Sequence, residues 1–391
     1  MRRRTLTVDT LERRPALFYA GSMKTKSIMI GLTVATISLA LWWGCGRSGQ
    51  PGKKTTIRIG AILPLTGDAA PYGNNTREGI LVGVDKANEA LQAKGMKMEV
   101  VFEDSKANPK DGVSATQKLI DVDKVAAIID DSVSGVTLAV VPICDRKQVV
   151  LLSTGATAPK LSGSSKFFFR IWNSDIEEGH FVADYAAREL KPKKAAVLYI
   201  NNEYGQGLRQ VFTDAMSKAS LPVAEQESFA QGATDFRAQL VKVAPSQPDI
   251  VYLIAYPKEA KLVLKQAKEL ALRTTWVGTV VMLEEEMPKL LTQLGYIMYF
   301  PSPVSPDKKS EAVREFRNRF QQKYQKPPPI LADVGYDAAV ILGKAIAGGA
   351  TSGDELRKAL AASDAVDMAS GTIKFDAQGD VHKPMTARRL P

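Results

Sequence analysis

The chain has 391 residues, of which 45% are hydrophobic, 24% charged and 7% aromatic, so it is long enough for about two or three domains and is neither disordered nor collagen-like. Lys and Arg outnumber Asp and Glu by 52 to 42, but half of the net charge of +10 lies in the first 44 residues, and the remaining excess is too mild and scattered to predict a nucleic-acid partner. Two cysteines and two histidines exclude a structural zinc site and a disulfide network, and we predict no metal and no cofactor.

Residues 1–44 are predicted to be a signal region rather than part of the fold. Residues 27–43 are apolar and uncharged, follow Lys24 and Lys26 and precede a glycine, which is the pattern of a secretory signal peptide. The stretch LWWGC at 41–45 resembles the cleavage box of bacterial lipoproteins, in which Cys45 carries the lipid, although Trp42 stands where those proteins usually have leucine. An uncleaved amino-terminal anchor is the alternative, and either outcome places the rest of the chain outside the cytoplasm.

Two further expectations concern this end of the chain. Residues 1–22 carry scattered charges without an apolar core, and a better basic region begins at Met23, so residues 1–22 are expected to be untranslated or lost with the signal. Residues 45–55 are rich in Gly, Ser, Pro and Lys and are expected to form a lipid-tethered linker.

From Thr56 onward, short β-branched runs alternate with longer helical patterns, which indicates βαβ units and a mostly parallel α/β architecture. The predicted strands are 57–63, 98–103, 125–129, 149–152, 195–200, 249–254 and 276–281. The predicted helices are 75–92, 111–121, 136–146, 177–189, 207–219, 235–243, 259–270, 311–324 and 332–347. Because apolar cores tend to split before roughly 300 residues, we expect two lobes rather than one wide sheet.

The chain is expected to cross between the lobes three times, near 169–175, near 300–307, where three prolines interrupt the pattern, and through 372–380. These crossings divide the chain into an N-terminal lobe of 56–172 plus 304–350 and a C-terminal lobe of 173–303 plus 351–391. Three crossings make a hinge, so a cleft between the lobes is the predicted site.

Three loops that follow predicted strands are rich in small polar residues: 130–137, 153–159 and 201–207. Helix starts at the carboxyl ends of parallel strands present free N–H groups to anionic ligand groups, and hydroxyls in the first two loops suit a carboxylate. Each loop taken singly is also compatible with a simple helix cap or turn.

Catalytic patterns are absent from the sequence: no nucleophile-elbow, dinucleotide-binding or phosphate-loop motif occurs, and we predict no catalytic residues. Cys144 lies in an apolar helical stretch and is expected to be a buried, inert thiol. His180 is expected at a helix surface, and His382 in a polar tail.

Several short motifs in a fixed order resemble the branched-chain amino acid type of periplasmic solute-binding protein, which serves ABC importers. The resemblance covers about 57–379 and implies the type I periplasmic binding protein fold, in which two Rossmann-like lobes joined by a three-strand hinge close on a ligand. The motifs are IGAILPLTG (59–67), YG (72–73), EDS (103–105), NP (108–109), SGVTLA (134–139), GATAP (155–159), YGQG (204–207), DF (235–236), GYDA (335–338) and FDAQGD (375–380).

The resemblance also implies a binding site. Ser134, Thr157 and the backbone around Gly155 would hold the ligand carboxylate and part of its ammonium group, and three tyrosines would line the cleft. Lobe packing is the alternative role for the tyrosines. The residues that this resemblance places around the ligand are Tyr72, Ser134, Gly155, Ala156, Thr157, Tyr204, Tyr256 and Val280.

One departure affects the expected ligand. Relatives that bind amino acids usually carry an acid two positions beyond the glycine that corresponds to Gly278, where this chain has Val280. An ammonium group buried without a charged partner is costly, so the substitution favours an uncharged or purely acidic ligand. If the ligand is an amino acid, Asp131, Glu203 and Glu284 are the candidate partners by their loop positions.

The resemblance implies an extracytoplasmic lipoprotein that captures a small amino acid, or a related organic acid or amide, and delivers it to an ABC permease. Its expected location is the periplasm or the cell surface, and the only membrane contact expected is through the lipid. The alternative is a ligand-sensing receptor that signals to a membrane partner. Neighbouring genes discriminate the two, since permease genes favour import and a kinase or cyclase gene favours sensing.

Overall fold

The computed structural model describes residues 55–67, 69–130, 133–282, 286–304, 307 and 309–391. The predicted signal region, Cys45 and the predicted linker except its last residue, Thr55, lie outside the described residues. No helix of the described residues combines the length and the apolar character that crossing a membrane requires.

The strands of the described residues are arranged in two large sheets and one short pair. In chain order they are β1 (Thr55–Leu63), β2 (Met96–Asp104), β3 (Ala127–Asp130), β4 (Val150–Ser153), β5 (Phe168–Arg170), β6 (Ala195–Ile200), β7 (Val223–Phe229), β8 (Ile250–Ile254), β9 (Thr275–Val277), β10 (Met298–Pro303), β11 (Val366–Met368), β12 (Gly371–Ile373) and β13 (Met385–Leu390). The first sheet is parallel, in the order β2-β1-β3-β4-β5. The second has the order β13-β10-β9-β8-β6-β7 and is parallel except for β13.

Helices connect successive strands, as the alternating sequence pattern predicts. They are α1 (Ala70–Gln92), α2 (Pro109–Asp121), α3 (Ser134–Lys147), α4 (Asp175–Tyr185), α5 (Glu203–Lys218), α6 (Arg237–Val243), α7 (Pro257–Glu269), α8 (Met287–Leu294), α9 (Glu311–Tyr324), α10 (Ala332–Ala347) and α11 (Gly353–Ala361). The predicted strand 195–200 and helices 311–324 and 332–347 have the observed bounds. The predicted strands and helices do not include β5, β7, β10, β11, β12, β13, α8 or α11.

Local chemistry sets the starts of the two helices that matter most for the cleft. The Ser174 side chain accepts a hydrogen bond from the Ile176 N–H at 3.2 Å and so begins α4. The Asn202 side chain accepts one from the Gly205 N–H at 3.0 Å and begins α5. A β-carbon at position 205 would lie 2.0 Å from the Ile200 carbonyl oxygen, so glycine lets the first turn of α5 rest on the end of β6.

Each sheet has its own apolar core, which confirms the prediction of two α/β lobes. The second sheet is packed around buried Val197, Phe212, Tyr252 and Trp276. The first sheet packs against α1 and α10 on one face and against α2 and α3 on the other. The described chain passes between the two sheets after β5, after β10 and before β13, and the Asn173 side chain donates to the Lys383 carbonyl (2.7 Å) where two crossings run side by side.

The assignment of residues 351–391 to the second lobe is wrong for most of the segment. Leu356 and Leu360 on α11, together with Ile373, Phe375 and Val381, are buried in the core of the first sheet. The physical reason is that α11 and the β11–β12 pair bury their apolar faces there, and only β13 joins the second sheet. The third crossing therefore falls at 382–384 rather than within 372–380.

Candidate functional site

The first side of the cleft is built at the carboxyl ends of β3 and β4. Ser134 opens α3 and is 2% exposed, and its Oγ accepts hydrogen bonds from the backbone N–H groups of Thr157 and Ala158, both at 3.2 Å. A hydroxyl has two acceptor positions and one proton, so the two N–H groups occupy its lone pairs. In the described part of the chain nothing accepts the remaining proton, which makes Ser134 a buried donor suited to a carboxylate.

Arg170 holds this side of the cleft in place, a role that the sequence patterns did not reveal. Its guanidinium, fully buried, forms two bonds to the Asp380 carboxylate, at 2.7 and 2.9 Å. It also donates to the carbonyl oxygens of Ala156 and Ala158, each at 3.3 Å. Because a bidentate guanidinium has a fixed plane, the 156–158 backbone next to partly exposed Gly155 is rigidly positioned.

The second side of the cleft carries the aromatic residues. The rings of Tyr204, in the first turn of α5, and Tyr256, which precedes α7, are stacked at 5.7 Å with an interplanar angle of 13°. The Tyr204 hydroxyl is buried beside Thr279, yet neither hydroxyl completes a hydrogen bond of normal geometry within the described residues. Tyr72 lies half-buried in the first turn of α1, at the carboxyl end of β1.

Two buried acids, Asp175 and Glu178, occupy successive turns of α4 and therefore share one face of that helix. Asp175 is 1% exposed and its backbone N–H donates to the Thr157 carbonyl at 2.8 Å, which places it beside the first side of the cleft. The Thr157 side chain lies beside its carboxylate, but neither carboxylate oxygen completes a hydrogen bond of normal geometry among the described residues. Glu178 accepts a hydrogen bond from the Tyr252 hydroxyl at 3.3 Å, and the Val280 N–H faces it.

Burial changes the acidity of this cluster. Loss of hydration raises the pKa of Asp175 to about 7, against the Thr157 side chain and the Arg170 charge, which lower it. Burial and then the charge of Asp175 raise the pKa of Glu178 well above its usual range, against the donors Tyr252 and Val280. Burial, followed by these two acids, also raises the pKa of Tyr204. The cluster therefore disfavours carrying two negative charges at once.

Position 280 has no acid of its own, but the Glu178 carboxylate lies at the Val280 N–H. Of the acids proposed from loop position, Glu203 is exposed and paired with Lys160 at 2.8 Å, while Asp131 and Glu284 lie outside the described residues. The sequence did contain a signal, since Ser174 is followed by acids, but acids in a first turn are also what any capped helix favours.

Other candidate groups lie away from this cleft. Cys144 is buried, as predicted, and burial raises the pKa of its thiol. His180 is exposed on α4, as predicted. His382 is exposed, and its ring contacts the carboxylates of Glu177 and Asp376. No group of three or more His, Cys, Asp or Glu residues in the described chain could hold a metal ion.

A cavity of about 420 Å³ opens elsewhere, at the amino ends of β8 and β9, where Asp249, Arg273 and Tyr299 line it. Ligands of parallel α/β sheets bind at the carboxyl ends of the strands, and this cavity contains none of the residues described above. The cleft is therefore the stronger candidate site.

Comparison with known proteins gives a consistent result. A family model described as "Periplasmic binding protein" matches residues 56–390. A leucine-, isoleucine-, valine-, threonine- and alanine-binding protein of Pseudomonas aeruginosa is 27% identical over 330 residues, which is 83% of this chain and 87% of that protein.

Two crystal structures match over most of their length. A leucine binding protein from Thermotoga maritima has a TM-score of 0.77 and 26% identity and covers 85% of this chain and 94% of its own. A branched-chain amino acid transporter substrate binding protein from Streptococcus pneumoniae, in complex with isoleucine, has a TM-score of 0.73 and 26% identity and covers 86% and 95%. The agreement of family model and structures extends across both lobes.

Proposed function

Since this chain belongs to the periplasmic binding protein family, we propose that it captures a small amino acid, or a related organic acid or amide, between its two lobes and delivers it to an ABC permease. The family consists of extracytoplasmic binding proteins of bacteria rather than enzymes. The observation that most directly supports the proposal is buried Ser134, whose lone pairs are both used by backbone N–H groups and whose proton has no acceptor among the described residues.

In this proposal the ligand carboxylate accepts the Ser134 hydroxyl proton and lies against the backbone of Gly155, Ala156 and Thr157. A small-molecule cleft needs a few convergent polar groups between apolar or aromatic walls. The stacked pair Tyr204 and Tyr256 supplies such a wall from the second lobe. Tyr72 from α1 and Val280 complete the set that the proposal assigns to the ligand.

Capture by closure follows from which lobe supplies each group. Ser134 and Thr157 come from the lobe of the first sheet, and Asp175, Tyr204 and Tyr256 from the lobe of the second. A ligand that contacts both sets binds the closed arrangement better than an open one, and it stabilises closure only by that differential affinity. Three chain crossings give the hinge about which such closure takes place.

The test is a thermal-shift screen of amino acids, their des-amino acids and their amides, followed by calorimetry on each compound that raises the melting temperature, since a cleft ligand stabilises by mass action. Ser134→Ala should weaken every carboxylate ligand, whereas the control Ser114→Ala, on the exposed side of α2, should not. If no compound of the panel binds the wild type, the proposed ligand class is wrong.

Membrane attachment is a separate part of the proposal and rests on the sequence alone. Acylation of Cys45 would anchor the mature chain, because a diacyl cysteine supplies two chains where one is marginal. We expect Cys45→Ser to shift the protein from the membrane to the soluble fraction in cell fractionation. A variant that stays wholly with membranes would contradict the lipid anchor without affecting the binding site.

A further inference from the structure

We propose that the ligand carries an ammonium-type group, and that Asp175 receives it in the cleft, with the hydroxyls of Tyr204 and Thr279 beside it and Glu178 behind. This inference deepens the proposed function and depends on it for the location of the ligand. It assigns the ligand's cation to helix α4 instead of to the position of Val280, where the sequence has no acid.

The first argument comes from buried polar atoms that lack partners. Both carboxylate oxygens of Asp175 and the hydroxyls of Tyr204 and Thr279 are buried, and none of them completes a hydrogen bond of normal geometry within the described residues, although Thr157 lies beside Asp175 and Thr279 beside Tyr204. Such atoms are rare in folded proteins, because each one costs its hydration without a compensating bond. An ammonium group has three donors and no acceptor, so one group can bind a carboxylate and two hydroxyl oxygens at once.

The second argument comes from charge. Glu178 already accepts a hydrogen bond from the Tyr252 hydroxyl at 3.3 Å and faces the Val280 N–H, whereas Asp175 completes no hydrogen bond of normal geometry, so Asp175 is the acid left available. Two buried carboxylates one turn apart repel each other, and the pair keeps a proton when no ligand cation is bound. One monocationic group therefore balances the cluster, and a dication is not required.

The third argument concerns the length of the ligand. Thr157 donates its N–H to Ser134 and accepts the Asp175 N–H at its carbonyl. Ser134, which donates to the ligand carboxylate, and Asp175, which accepts from the ligand cation, are thus hydrogen-bonded to the same residue. The two charged groups of the ligand must therefore lie close together. This spacing fits a short amino acid and disfavours a long diamine or a purely acidic ligand.

A bound cation should also displace the proton of the pair. Asp175 faces Glu178 on its own helix, Arg170 at the end of β5, Tyr204 on α5 and Tyr252 on β8. With its pKa raised to about 7, Asp175 is largely protonated at pH 6 in the unliganded protein, and a cation favours the ionised form. Binding therefore releases protons near pH 6, and affinity rises with pH until Asp175 is ionised without ligand.

The experiment compares L-alanine, L-valine and L-leucine with their des-amino acids by calorimetry, using wild type, Asp175→Asn and the control Asp184→Asn. Asp184 lies on the exposed side of the same helix. We expect the des-amino acids to bind the wild type roughly 10- to 100-fold more weakly, Asp175→Asn to lose a similar factor for the amino acids, and Asp184→Asn to lose nothing. Repeating the wild-type titration in two buffers of different ionisation heat should show proton release at pH 6.

Equal binding of amino acids and des-amino acids by the wild type, or no proton release, would overturn the inference and leave the proposed function intact. Failure of the whole panel to bind would instead reject the proposed ligand class. The role of Asp175 can be tested even then without a ligand. Asp175→Asn should melt at a higher temperature than wild type at pH 8, and the difference in melting temperature should disappear near pH 4. A variant that melts lower at pH 8 would show that Asp175 stabilises the empty fold, contrary to the inference.

Discussion

The two sides of the cleft differ in how their buried polar groups are satisfied. On the first side, the Ser134 oxygen and the carbonyls of the 156–158 loop accept bonds from backbone N–H groups and from Arg170. On the second side, Asp175, Tyr204 and Thr279 leave buried atoms unpartnered within the described chain. The first side is therefore stabilised by its own hydrogen bonds, whereas the second side has buried polar atoms to which a ligand can bind.

The comparison predicts opposite consequences for stability. Removing a side chain from the first side leaves its buried partners without a hydrogen bond, and each such group lowers the unfolding free energy by its full desolvation penalty. Removing an unpartnered group from the second side breaks no hydrogen bond, so the ligand-free protein should keep or gain stability. Variants on both sides of the cleft test this contrast.

Arg170→Met should give the largest effect, because it leaves the Asp380 carboxylate buried without its cationic partner, with the Ser162 hydroxyl still donating to it at 2.7 Å. Breaking a buried pair in this way costs about 3–5 kcal/mol of unfolding free energy. The measurement is the urea unfolding curve followed by circular dichroism. Arg188→Met, which removes an exposed pair with Asp184 at 3.7 Å, is the control and should cost under ~1 kcal/mol. A loss below ~1 kcal/mol for Arg170→Met would show that the first side does not depend on this anchor.

Ser134→Ala should affect both stability and binding. It leaves the N–H groups of Thr157 and Ala158 buried without an acceptor, which should lower the unfolding free energy by about 1–3 kcal/mol. It also removes the hydroxyl that donates to the ligand carboxylate, which should raise the dissociation constant roughly 10- to 100-fold. Thr157→Ala keeps those N–H bonds and should weaken binding with a smaller loss of stability. Calorimetry and urea unfolding together separate the two effects. Unchanged affinity in both variants would place the site elsewhere.

Tyr204→Phe tests the other side, because it removes a buried hydroxyl that has no partner of normal geometry in the described chain. The ligand-free protein should be unchanged or more stable by up to about 1 kcal/mol, while amino-acid affinity should fall by up to roughly tenfold. Tyr199→Phe, on the half-buried face of β6, is a matched control that should leave affinity unchanged. A clear loss of stability in Tyr204→Phe would contradict the contrast between the two sides.

His382 tests the connection between the lobes and should give the smallest effect. Hydrogen bonds that the His382 ring donates to the carboxylates of Glu177 on α4 and of Asp376 raise the pKa of His382, against burial, which lowers it. Because the folded-state pKa is the higher one, the stabilisation is fully present below about pH 6.5 and is lost as pH rises through the folded pKa. The side chain is 61% exposed, so the contribution should stay under ~1 kcal/mol.

The measurement is the melting temperature of His382→Asn against wild type from pH 5 to 9. The difference should be largest at the acid end and vanish at the alkaline end. His180→Asn, on the exposed face of α4, is the control. A difference that grows toward alkaline pH would refute the assigned sign.

Much of the architecture was predictable because it depends on local patterns. Alternating apolar runs and helix caps act over a few residues, and they placed the helices at 311–324 and 332–347 and the strand at 195–200 with their observed bounds. The edge strand β7 was missed because its burial alternates with charged residues, as in VAEQESF. Residues 351–381 were assigned to the wrong lobe, since an amphipathic helix such as α11 does not indicate which core its apolar face will join.

The α/β class, the two-lobed organisation and the polar loops that contain Ser134 and Thr157 follow from the sequence alone, because strand and helix periods, caps and turn residues are properties of short segments. The anchoring of one side of the cleft by Arg170, and the position of Asp175 and Glu178 next to Val280, depend on tertiary packing. In the sequence these acids are indistinguishable from ordinary first-turn acids. Their chemistry arises from burial against Tyr204, Tyr252 and Thr279, and burial depends on which distant segments pack together.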